Sequence, residues 1–153
     1  GGYSARLPSH LERGQAIATS VGTGYDAFTR GDSLFVFSGI PNEARNIDLP
    51  QLEEAIWQEI DELKQNPPSE AELARVQAQV VAGLVYAQDS IMAQANRIGE
   101  LEVVGLSWEL VDEDTAALQA ITPEQISEVA RRYLVRDRLT RSYNLPLAEE
   151  AQP

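Results

Sequence analysis

Between Ser69 and Val104, apolar side chains recur at three- and four-residue steps: Leu73, Val76, Val80, Leu84, Ala87, Ile91, Ala95 and Ile98. That spacing lines one face of an α-helix and does not suit a strand, whose faces repeat every second residue. Ser69 and Glu72 open the run as a capping box, S-x-x-E. A single rod to Val104 would reach roughly 50 Å at the helical rise per residue, so a bend is expected near Asp89–Ser90. The stripe is expected to be core. A chain containing it must supply a helical layer and something to cover it.

The other segments supply less cover than the stripe demands. A short helix is expected over Ser4–Arg13, with Pro8 in its first turn and Gly14 as its stop. "QAIATSVGTGY" then alternates, with Ile17, Thr19, Val21, Thr23 and Tyr25 on one face. Ala16, Ala18, Ser20, Gly22 and Gly24 form the other, small enough for a substrate to approach closely. "TRGD" is turn chemistry, and "SLFVFSGIP" is a second strand stopped by Pro41, so the two form an antiparallel hairpin. Asp48 is the N-cap of a helix to Gln65 with Leu52, Ile56, Ile60 and Leu63 as its stripe, and "NPP" breaks it. A further helix follows Gly105 with Ser107 as cap, and Thr122, Pro123 and Gln125 open another. "RLTRSYNLP" reads as a closing strand. The domain is expected to span residues 1–146, followed by an acidic, disordered tail at 147–153. Three strands make too thin a sheet for these helices, and the missing part is expected upstream of Gly1.

Charge and composition exclude several chemistries. The net charge is −12, with Lys64 the only lysine, a balance that repels phosphate backbones and anionic membranes. Nucleic acid is therefore not an expected partner. No apolar run is long enough to span a bilayer. Without cysteine there are no disulfides or thiolate metal sites. His10 is the only histidine, so a Ser-His-Asp site would have to use it, and a two-histidine zinc motif is impossible. The acidic runs Glu53–Glu54 and Asp112–Asp114 lack the spacing of a calcium loop and read as solvated helix faces. No phosphate-binding glycine loop is present. These residues assemble no self-sufficient active site.

Four phrases in order, "GGYSARLPSHL…QAIATSV", a strand, "PSEAELARVQAQVVAGLVYAQDS" and "ITPEQISEVARRYL", resemble the zinc peptidases of the pitrilysin/insulinase family. That family includes the mitochondrial processing peptidases and bacterial relatives. The resemblance is to the C-terminal, non-zinc domain and covers Gly1 to Pro146. It implies an α+β fold: a two-layer sandwich with a mixed, mostly antiparallel sheet packed against helices, here lacking its first strand and helix. It also implies that two such domains per half, and two halves, enclose unfolded peptides in a chamber. Zinc would sit on an H-x-x-E-H helix in the N-terminal domain or a partner subunit, where metal-bound water attacks the scissile carbonyl. No cofactor is expected in this chain.

The family's other functional pair, an arginine and a tyrosine that hold substrate and stabilise the oxyanion, aligns here with Glu12 and Thr19. A carboxylate repels an oxyanion and threonine is too short to reach one. Arg13 is one residue off, about 100° around a helix. The expectation is thus a non-catalytic domain of a zinc metallopeptidase, inactive alone, that forms chamber wall and contacts with the zinc domain or a partner half. The alternatives are a proteolytically silent structural subunit, or a peptide-binding module using the Ala16–Tyr25 strand. A dimer is expected. The lack of cysteine and the excess of arginine over lysine fit export to a bacterial periplasm, with the cytoplasm as the alternative.

Overall fold

The structure, a computed structural model, describes residues 3–145, with residues 112–114 described in backbone alone. The tail expected at 147–153 lies outside the described residues. The chain runs through a π-helix (Pro8–Gly14), strands β1 (Ala18–Tyr25) and β2 (Phe35–Pro41), and a 3₁₀ turn (Glu43–Arg45). Helices α1 (Leu49–Gln65), α2 (Glu70–Ala87), α3 (Ile91–Val103), α4 (Leu110–Gln119) and α5 (Pro123–Tyr133) follow, and then a 3₁₀ turn (Arg136–Arg138). This is an α+β fold. None of the helices described is long and apolar enough to cross a membrane.

Local chemistry sets most helix ends. Asp48 accepts from the N–H of Gln51 while the Gln51 side chain accepts from the Asp48 N–H, and Thr122 and Gln125 repeat the arrangement at α5. At α2 only half of the expected box forms: Ser69 accepts from the Glu72 N–H, but the Glu72 carboxylate is turned to Arg6. The bend falls where expected, with Ser90 capping α3 through the Ala93 N–H.

β1 and β2 pair antiparallel from Ala18↔Pro41 to Tyr25↔Phe35. The loop between them is latched to α3: the Arg30 Nε donates to the Val103 carbonyl at 2.6 Å, and the Arg97 guanidinium lies 4.2 Å from the centre of the Phe28 ring. The main core joins the π-helix, β1 and α1 through Leu11, Ala18, Val21, Leu52 and Ala55, flanked by Leu7, Ile17 and Ile56. Fully burying a leucine such as Leu11 contributes roughly 2 kcal/mol. α5 packs on α1, where buried Ser127 donates to the Leu63 carbonyl at 2.7 Å.

Two expectations are corrected. The sheet has two strands among the described residues, and residues 139–145 do not form the closing strand. A strand exists only by pairing. Here Arg141 and Tyr143 instead carry the segment to the Glu53 carboxylate on α1. The long helical stripe is also not core. Val76 and Val80 are 43% exposed and Ile91 86%, while α4, which packs on α2, leaves only Leu73 and Leu84 of the α2 stripe half-buried.

Candidate functional site: the junction of the first helix and β1

The junction begins at Pro8, which has no N–H to offer the carbonyl one turn back and displaces the regular ladder. The backbone continues as a π-helix and closes with the Gln15 N–H on the His10 carbonyl at 2.7 Å. Ala16 then takes φ +52°, a left-handed conformation that turns the chain into β1. Leu11 points into the core, and Glu12, half-buried beside it, reaches the strand. Its Oε1 accepts the backbone N–H of Val21 at 2.7 Å.

Thr19 sits in a β-bulge. Ala18 pairs with Pro41 and Ser20 with Ile40, so Thr19 is the extra residue on β1. Its side chain is exposed, and Oγ1 donates to the Ile40 carbonyl at 3.3 Å. The bulge shifts the alternation by one residue, so that Ala18 and Val21 are both buried. The expected small-residue face therefore does not form as one surface. Ala16 lies in the turn, Ala18 is core, Gly22 is half-buried, and Ser20 and Gly24 are exposed.

Three other side chains near the junction, Arg13, His10 and Arg6, are engaged. Arg13 donates to the Tyr3 carbonyl at 2.6 Å and stacks over the Tyr3 ring at 3.8 Å. His10 Nδ1 lies 2.7 Å from Glu59 Oε2 on α1. Arg6 makes a bidentate pair with Glu72, at 2.9 and 2.8 Å, which ties the start of the first helix to α2. The Arg6 hydrogen bond, more than anything else, holds the Glu72 carboxyl below the usual range, and partial burial opposes it. A cleft of about 220 Å³ separates residues Ala5–Pro8 from Val21–Thr23. The sequence could not announce the Arg6–Glu72 and Glu12–Val21 links. Glu72 read as a capping residue, and the acceptor role of Glu12 depends on where the bulge sets Val21.

The arrangement is structural chemistry. A carboxylate already bonded to a backbone N–H has no proton to give an oxyanion, and Thr19 presents only a short hydroxyl. Zinc does not fit the donors at hand. The described residues bring together no three His, Cys, Asp or Glu side chains, and His10 with Glu59 offers two.

Residues 1–80 match the family described as the peptidase M16 inactive domain. The chain belongs to that family. The M16 domain seen here is therefore a non-catalytic one. It is also similar to a solved structure entitled "The crystal structure of a protease from Helicobacter pylori", with a TM-score of 0.77 and 19% sequence identity over 88% of this chain. The chain spans only 32% of that protease, and at this identity the likeness speaks for the fold. A search among curated proteins gave no match.

Proposed function

We propose that this M16 domain is the wall-forming, non-catalytic part of a zinc metallopeptidase, completed by an N-terminal zinc domain or a partner half. The observation that carries the reading is the partly exposed apolar stripe of α2 and α3. Val76, Val80, Ile91 and Ile98 are each at least 41% exposed. Gly83 and Gly99 interrupt the same helices, and a Cβ at either would meet nothing within 4 Å. Glycine inside a helix is destabilising by roughly 1 kcal/mol against alanine, and no neighbour among the described residues requires it. A second domain packing closely there would bury the apolar side chains and make use of the glycines.

Co-expression with the zinc-bearing domain of the parent protein tests this. A complex that protects the amides of residues 76–98 from hydrogen exchange is expected. The isolated chain, given Zn²⁺ and unfolded casein, is expected to show neither stoichiometric zinc nor cleavage, and turnover by the chain alone would overturn the reading. Glu12 and Thr19 also favour a second reading, a proteolytically silent scaffold. An H-x-x-E-H motif in the assembled protein, with hydrolysis, separates the peptidase from the scaffold.

A further inference from the structure

Five of the twelve basic residues fall between Arg131 and Arg141, in a chain whose net charge is −12. Three have partners that account for them. Arg131 donates to the Lys64 carbonyl at the end of α1. Arg136 pairs with Glu54 at 2.8 Å and lies 4.7 Å from the centre of the Trp57 ring. Arg141 pairs with Glu53 at 3.2 Å.

Arg132 and Arg138 are different. Both guanidiniums gather on one ring, 5.2 and 5.9 Å from the centroid of Tyr133, which is itself 50% exposed. Among the described residues neither forms an ion pair, and Glu128, one turn earlier on α5, makes none with Arg132. Placement in the last turn of α5 complements the helix dipole and explains Arg132 in part. It does not explain Arg138, which lies beyond the helix in the 3₁₀ turn. Stacking on an exposed ring contributes roughly 0.5–1 kcal/mol per cation and neutralises neither charge. Two cations thus share one ring, and among the described residues their planar N–H forks have no carboxylate partner, a chemistry suited to carboxylates.

We propose that the Arg132–Tyr133–Arg138 corner docks an acidic stretch of polypeptide, whose carboxylates pair with the two guanidiniums. A short acidic segment touches only this corner. A nucleic acid draws its affinity from many phosphate contacts along a basic surface, and this chain, at a net charge of −12, offers it only this corner. The surface owes nothing to the peptidase reading and stands or falls separately.

The test is fluorescence anisotropy of a fluorescein-labelled hexaglutamate peptide titrated with the whole chain at low salt. Binding is expected to weaken at least about tenfold in R132Q/R138Q and to stay unchanged in R45Q. R132K/R138K should fall between, since it keeps charge and loses the fork. R138Q alone, outside any α-helix, repeats the comparison if the double variant melts early. Equal affinity of R132Q/R138Q and the parent, equal binding of hexaglutamine, or tighter binding of a labelled oligothymidylate would overturn the proposal.

Discussion

The carboxylate of Glu12 accepts the backbone N–H of Val21 at 2.7 Å, fastening the first helix to the outer edge of β1. Glu12→Ala leaves that N–H without its charged acceptor, and a loss of about 1.5–3 kcal/mol is expected. Glu12→Gln keeps a neutral acceptor and should lose less. Glu12→Arg should destabilise without conferring peptide hydrolysis. Urea midpoints at constant slope measure the first two, and casein cleavage checks the third.

The Arg6–Glu72 pair should make stability depend on acid. Because the folded Glu72 carboxyl titrates below its ordinary value, its contribution is fully present above the unfolded value, near 4.3. It fades as pH falls through the folded one. Glu72→Gln should flatten that part of the acid unfolding curve and cost about 1 kcal/mol at neutral pH. An unchanged slope between pH 5 and 2, on the order of the carboxylate range, would count against the pair.

At the other end, the Tyr143 hydroxyl donates to Glu53 at 2.5 Å beside Arg141. This bond, first among the causes, lowers the Glu53 carboxyl and raises the Tyr143 phenol. The strap therefore holds between two titrations. It weakens as pH falls through the folded Glu53 value and as pH rises through the folded Tyr143 value. In Tyr143→Phe, the Glu53 carboxyl should titrate closer to its ordinary range, as read from side-chain carbon shifts in an NMR pH series.

Gly39 leaves room for α1. A Cβ there would lie 3.0 Å from Leu52 Cδ2, and Leu52 is 3% exposed. Gly39→Val should push the leucine off its seat and destabilise by roughly 1–3 kcal/mol. On the same hairpin a Cβ at Gly24 would meet nothing within 4 Å, and Gly24→Val should be near neutral. Thermal melts of the two variants make the comparison.

What the sequence made legible is local. Asp48 with Gln51 and Thr122 with Gln125 lie within one turn of each other, so their boxes could be read directly. The bend at Ser90 follows from its short polar side chain between two apolar runs. The hairpin was legible for the same reason. Four features were not: the diversion of Glu72 to Arg6, the π-helix after Pro8, the bulge at Thr19 and the unpaired segment at 139–145. Each depends on partners distant in sequence or on backbone geometry that no periodicity encodes. The stripe from Leu73 to Ile98 was legible as apolar and misassigned as core, since periodicity reports what a helix face prefers and not whether this chain covers it.

The bulge has an evolutionary consequence. Thr19 is the one β1 residue that the ladder skips, and its exposed side chain, tied to β2 through the Ile40 carbonyl, takes no part in the buried packing of Ala18 and Val21. A long side chain or a short one can stand there while the same hairpin folds. Such a position is free to gain or lose a role under selection, and the domain's architecture survives either history.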